Sequence, residues 1–193
     1  MSVVGFVVAG GRSRRMGSDK ALLPWEGTDL LGHAIARLRA VTEDVRILCG
    51  PAPRYRDRGV PIEIDHVQDV GPLAGVMAGL AATARRPGLF LAVDLPQVPA
   101  SLLARLVELA DGWDAVVPVS PRGPEPLCAV YGPACLDPMR GRMAAGELRT
   151  TAFWPDVRVR QLAPEELAGH GDPDALFRNL NAPSDLDGGP GFG

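Results

Sequence analysis

The chain predicts an α/β fold: a three-layer sandwich in which a Rossmann-like, mostly parallel sheet carries helices on both faces. Two observations support that expectation. Short apolar runs alternate with stretches of helical periodicity along most of the 193 residues. The first run, VVGFVVA at 3–9, is β-branched and apolar with no polar alternation. A central strand covered on both faces has that pattern.

The elements follow in order. After the first strand comes the charged loop AGGRSRRMGSDK, then a helical pattern LLGHAIARLRAV at 30–41. DVRILC (44–49) and IEI (62–64) read as strands, LAGVMAGLAATAR (73–85) as a helix, and LFLAVD (89–94) as the fourth strand. ASLLARLVELA (100–110) is helical, DAVVPV (114–119) and LCAVY (127–131) are strands, and CLDPMRGRMAAG (135–146) is a helix. Pro138 falls close to the first turn of that helix, where its missing N–H does least harm. DVRVRQL (156–162) supplies the last strand. Strands linked through helices are expected to run parallel with right-handed crossovers. Ligands in such sheets bind beyond the carboxyl ends of the strands, which singles out the charged loop and Asp94. With no internal repeat or long linker, residues 1–186 are expected to form a single domain, and the tail DGGPGFG (187–193) is expected to be disordered.

Bulk properties narrow the function. A net charge of −3 excludes broad nucleic-acid binding, which needs a cationic surface, so any phosphate recognition must be local. Apolar segments fall short of the roughly 20 residues of a membrane span. The amino terminus lacks the basic start, apolar core and cleavage site of a signal peptide, so a cytoplasmic location is expected. Cys49, Cys128 and Cys135 lack paired metal-ligand spacing and read as reduced structural thiols. His33, His66 and His170 are scattered and read as packed or solvated residues.

The loop after the first strand is the strongest chemical signal. Gly10 and Gly11 let backbone amides approach a ligand, and successive amides facing one way form an anion nest. Arg12, Arg14, Arg15 and Lys20 add cationic groups suited to a polyphosphate. The loop is not a P-loop, since five residues separate Gly11 from Gly17 and Ser18 follows, and it lacks the G-x-G-x-x-G dinucleotide fingerprint. Read alone, the arginines also suit a solvated face. Asp94, followed by Leu95 and Pro96, likewise suits either a turn or a ligand-facing carboxylate.

The stretch VVAGGRSRRMGSDKALL resembles the signature L-A-G-G-x-S-x-R-M-G-x-D-K of sugar-nucleotide and cofactor nucleotidyltransferases. DVGPLAGVMAGL (69–80), AVDLPQVP (92–99) and FRNLNAPSDL (177–186) extend the resemblance, in the same order and at similar spacing, to the molybdenum cofactor guanylyltransferases. It runs from residue 3 to about 186. The resemblance implies that Val8, Ala9 and Gly10 contact the nucleotide through their backbone, that Gly11 and Arg15 cradle the triphosphate, and that Lys20 neutralises its charge. It further implies that Asp65 accepts hydrogen bonds from guanine, that Gly71, Pro72, Leu73 and Gly75 form the next wall of the nucleotide pocket, and that Asp94 binds Mg2+. Asn179 and Asn181 either satisfy buried backbone groups or face the site, where they would serve the pterin side or a metal. Asp19 is expected to order the loop rather than touch substrate. Trp25 is a candidate for lining the cleft, and Arg149 in GELRTTAFW for the pterin side. One departure stands out: relatives often carry asparagine as a base contact after the second strand, whereas Cys49 or Gly50 stands here.

The implied reaction transfers GMP from GTP to the terminal phosphate of the molybdenum–molybdopterin cofactor, with release of pyrophosphate. Arg15, Lys20 and Asp94 would carry the chemistry. Transient contact with cofactor-synthesis or molybdoenzyme delivery proteins is expected, but none with nucleic acid or membrane. Rival readings are a cytidylyltransferase on the same cofactor, a nucleotidyltransferase acting on another phosphorylated metabolite, and a GTP-binding regulatory or carrier module without catalysis. Asp65 and GPLAG favour guanine, and the presence of both Lys20 and Asp94 favours catalysis.

Overall fold

The computed structural model describes residues 2–10, 19–64 and 71–180. The first apolar run forms β1 (Val4–Val8), buried along its whole length. Val4, Phe6 and Val8 enter one core cluster, while Val3 and Val7 enter the other. Successive side chains of a strand point to opposite faces, so a strand covered on both sides has no position left for a polar residue.

A two-residue hairpin, β2 (Pro24–Trp25) and β3 (Thr28–Asp29), leads into α1 (Leu30–Arg39). Asp29 caps that helix, its Oδ1 accepting from Gly32 N at 2.8 Å. β4 (Val45–Leu48) pairs parallel with β1, and β5 (Ile62–Glu63) pairs parallel with β4. After α2 (Pro72–Ala81), β6 (Gly88–Ala92) takes the other side of β1, also parallel. Then come α3 (Ala100–Glu108), β7 (Ala115–Ser120), the short β8 (Gly123–Pro124), β9 (Cys128–Tyr131) and α4 (Leu136–Ala144). β10 (Val159–Leu162), α5 (Pro164–Leu167) and α6 (Pro173–Leu176) complete the described chain.

The sheet runs β10-β7-β9-β6-β1-β4-β5, with β8 paired to β7. The expected parallel pairing holds on both sides of β1 and between β7 and β10. β9, however, lies antiparallel between β6 and β7. The cause is visible in the chain: between DAVVPV and LCAVY there is no helix, and a parallel return needs a crossover of a dozen or more residues. β8 occupies part of that short link and turns the chain back.

Each face of the sheet has its own core. Leu30, Leu31 and Leu38 of α1, Leu102 and Leu106 of α3, Leu167 of α5 and Leu176 of α6 pack on one side. Leu73, Val76 and Leu80 of α2 and Met139 of α4 pack on the other, which gives the three layers. The second core is organised by aromatic rings: Phe6 stacks on Phe90 with centroids 5.0 Å apart, Phe90 meets Tyr131 at 5.7 Å, and Tyr131 meets Phe153 edge-on at 5.9 Å. Each such ring contributes roughly 1.5–3 kcal/mol by leaving water. Tyr131 keeps its hydroxyl satisfied by donating to the Pro126 carbonyl at 2.8 Å. The three cysteines are buried and unpaired, as expected. Burial pushes the Cys135 thiol up to about 12 and Cys128 further up, which keeps both unreactive. Among the described residues no helix is long and apolar enough to cross a membrane.

Candidate active site

The parallel register carries three chain exits to one place. Ala9 N donates to Leu48 O at 2.9 Å and Val93 N donates to Val8 O at 3.1 Å, so the carboxyl ends of β4, β1 and β6 lie side by side. Gly10 is needed at this point: a Cβ there would stand 3.1 Å from Gly50 N, where the β1 and β4 exits close on each other. Gly50 itself takes φ +77°, a left-handed value that favours glycine.

Lys20 opens a 3-10 turn (Lys20–Leu22) on the far side of the charged loop. Its ammonium donates to Asp94 Oδ2 at 2.9 Å, joining residues 74 positions apart. Both side chains are partly open to solvent, at 15% and 27% exposure. A pair so placed is accessible to an incoming ligand. The Asp94 carbonyl accepts from Leu180 N at 3.0 Å, so the carboxy-terminal segment is anchored at the same point and the exposed Asn179 lies next to that anchor.

The charged loop that Asp19 was expected to order lies outside the described residues; the Asp19 carboxylate caps the turn that follows and takes further partners. One carboxylate oxygen accepts from Ala21 N at 3.2 Å. The carboxylate also receives Arg54 Nη1 at 3.1 Å and the Tyr55 hydroxyl at 2.7 Å. Burial, reinforced by that hydrogen bond, pushes the Tyr55 phenol up, so it stays protonated and donating. Arg54 Nη2 donates to the carbonyls of Ala9 and Cys49, each at 3.1 Å.

The start of α2 carries the residues expected to form the next wall of the pocket. Gly71 sits at its N-cap with φ +78°, a left-handed value that favours glycine, and Pro72 occupies the first turn. Both are exposed, Gly75 is half-buried, and the Leu73 side chain is fully buried in the second core. Leu73 therefore has only its backbone to offer a ligand. On the β9 side, the Ser120 hydroxyl lies 2.8 Å from Glu125 Oε1. Burial holds the Glu125 carboxyl above the usual carboxylate range, with the charge of Asp94 adding to the effect. Arg122 ties this region to the carboxy-terminal segment by donating to Phe177 O at 2.8 Å.

The structure thus brings together Val8, Ala9, Gly10, Lys20 and Asp94. Gly11, Arg15, Asp65 and Asn181 lie outside the described residues. Trp25 packs against the first core and edge-on to His33, with centroids 6.2 Å apart. His33 holds its Nε2 3.0 Å from the Pro96 carbonyl and 3.2 Å from Arg37 Nε. Burial lowers the His33 pKa, and the ring acts as a packed residue tying α1 to the loop after Asp94. Arg149 is exposed. Arg54, Tyr55, Ser120 and Glu125 carry no signal that sets them apart in the sequence.

Among the described residues no three His, Cys, Asp or Glu side chains converge as a metal cage. Asp94 already holds one cation, the Lys20 ammonium. A single carboxylate with solvent access suits a hard divalent ion that completes its shell with substrate phosphates and water.

Residues 5–154 match the model of the MobA-like NTP transferase domain. The chain is 38% identical over 193 residues to the molybdenum cofactor guanylyltransferase of Cereibacter sphaeroides, covering 96% of this chain and 94% of that one. Among solved structures it is similar to molybdopterin-guanine dinucleotide biosynthesis protein A from Archaeoglobus fulgidus, with TM-score 0.76, 23% identity and coverage of 96% and 95%. The fold is shared more widely: 2-C-methyl-D-erythritol 4-phosphate cytidylyltransferase from Thermus thermophilus matches with TM-score 0.69 at 18% identity, covering 97% of this chain and 96% of that one.

Proposed function

Because the chain belongs to the MobA-like NTP transferase family, we propose that it transfers GMP from GTP to the terminal phosphate of the molybdenum–molybdopterin cofactor. The products are the guanine dinucleotide form of the cofactor and pyrophosphate. The observation that carries the reading is the Lys20–Asp94 contact, a cation and a carboxylate meeting beside the exits of β1 and β6. The guanylyltransferase relatives supply the choice of substrates.

An acceptor phosphate oxygen attacks the α-phosphorus of GTP. A new P–O bond forms, the bond to the β-phosphate bridging oxygen breaks, and pyrophosphate leaves with that electron pair. Both partners are negative, so the work of the protein is electrostatic. The backbone at Val8, Ala9 and Gly10, with Gly11 and Arg15, holds the triphosphate, and Gly71, Pro72, Leu73 and Gly75 face it from the α2 side. Asp65 accepts from guanine. Lys20 moves its charge from Asp94 to the phosphates, where preorganised positive charge favours the transition state. Asp94 would hold Mg2+, which would supply further charge stabilisation to the phosphate oxygens. The acceptor phosphate is already ionised near neutral pH, so no general base is required, and His33 is engaged elsewhere. Asn179 and Asn181 serve the acceptor side. A cytoplasmic setting and transient contact with proteins that supply or deliver the cofactor belong to the same reading.

The test is pyrophosphate release on mixing the protein with Mg2+, the molybdenum–molybdopterin cofactor and GTP, CTP or ATP in turn. Release with GTP in preference to the others is expected. Equal use of CTP contradicts the guanine assignment, and GTP binding without release favours a carrier module.

A further inference from the structure

Arg54 and Tyr55 have no part in the reaction as described, yet they join the Lys20 turn to the exits of β1 and β4. The Arg54 fork reaches three acceptors: the Asp19 carboxylate, the Ala9 carbonyl at the exit of β1 and the Cys49 carbonyl at the exit of β4. Its guanidinium carbon also sits 5.0 Å from the centre of the Tyr55 ring. Tyr55 is buried and takes φ +66° and ψ +30°, a left-handed conformation that costs a non-glycine residue free energy. Held in that conformation, it presents its hydroxyl to Asp19, at 2.7 and 3.0 Å from the two oxygens.

We propose that Arg54 and Tyr55, acting through Asp19, are positioning residues that set the place of the Lys20 ammonium relative to the strand exits. The inference rests on the nucleotidyl-transfer reading of the site. Asp19 immediately precedes Lys20 and accepts from the amide of Ala21, so the direction of its carboxylate fixes the turn from which Lys20 projects. A lysine has a flexible four-carbon stem and does not place its own charge. A planar guanidinium with fixed donor directions does place what it binds, and here it references the turn to the backbone of β1 and β4. A lysine at position 54 would keep the charge but lose the fork.

Two measurements on the full chain test this. In the first, the kinetics of Arg54→Met, Lys20→Ala and the double variant are compared with wild type. Arg54→Met is expected to lower kcat by about 10- to 100-fold with little change in the KM for GTP, as loss of a transition-state interaction does. The double variant should be no slower than Lys20→Ala by more than about twofold, since a residue acting through Lys20 has nothing left to act on. Multiplying effects would overturn the proposal. The second measurement is hydrogen exchange of the peptide covering residues 19–23 without nucleotide. It should be faster in Arg54→Met and in Tyr55→Phe than in wild type and unchanged in Lys20→Ala; equal rates throughout would overturn the proposal. If Arg54→Met does not fold, Arg54→Lys carries both measurements with the same expectations. A wild-type protein that releases no pyrophosphate contradicts the functional reading, while hydrogen exchange still decides the positioning.

Discussion

The ammonium of Lys20 and the carboxylate of Asp94 neutralise each other in the absence of substrate, and each is partly exposed. The pair is part-buried, so removing one partner leaves the other incompletely solvated at some cost in stability. Lys20→Ala is expected still to melt cooperatively while losing about 2.7–4 kcal/mol of transition-state stabilisation, a fall of about 10²–10³-fold in kcat. Asp94→Asn is expected to raise the Mg2+ concentration for half-maximal activity by about tenfold or more, read by metal titration of pyrophosphate release. Loss of cooperative melting in either variant would count against these roles. Both residues were legible in the sequence because each stands in a motif that follows a strand. Arg54 was not. It sits in PRYRDR, where alternating charges read as a solvated loop, and only the fold brings its guanidinium to Asp19, Ala9 and Cys49.

Strands and helices were legible from periodicity because each core is built from one face of each helix and from alternate residues of the central strands. The direction of β9 was not marked by composition, since a buried strand looks alike in either orientation; only the missing crossover reveals it. The β2–β3 hairpin escaped for another reason, as two-residue strands are too short to show alternation. Packing between α2 and β6 gives a prediction at this scale. A Cβ at Gly79 would stand 2.9 Å from the Phe90 ring, which is itself stacked on Phe6 and cannot retreat. Gly79→Ala gains about 1 kcal/mol in helix propensity but incurs about 1–3 kcal/mol of overpacking. A net loss is expected, visible as a fall of about 2–6 °C in melting temperature. A second cluster ties β4 to its neighbours: Arg46 donates to Asp44 at 3.0 and 3.1 Å, to Glu63 at 2.8 Å and to Ala82 O at 3.0 Å, and Arg86 also pairs with Asp44. These guanidinium groups, chiefly Arg46, hold the Asp44 carboxyl below its ordinary value of 3.8. The stabilisation is present in full above that value and is lost as pH falls through the lower folded one. Denaturant midpoints measured from neutral pH downward should therefore fall less steeply below about pH 4 in Asp44→Asn than in wild type; parallel acid limbs would contradict the assignment.

At the scale of the whole molecule, the sheet separates two tasks. Its two faces supply the apolar cores, and the carboxyl edge of β4, β1 and β6 gathers the polar groups that packing does not use. The fold class was legible because strands covered on both sides leave an unbroken apolar signature. The expectation of a guanine base rested on motifs and not on the architecture, since the same fold is shared with a cytidylyltransferase. The central claim is that this edge holds a triphosphate between the β1 exit and the start of α2, with Lys20 and Asp94 facing it. A crystal structure with Mn2+ and a GTP analogue that cannot release pyrophosphate tests it most directly. The account predicts the phosphates against Val8–Gly10 with Lys20 turned from Asp94 toward them, and the anomalous signal of the metal at Asp94. Nucleotide bound at the opposite end of the strands, or metal signal away from Asp94 with the Lys20–Asp94 pair intact, would contradict it.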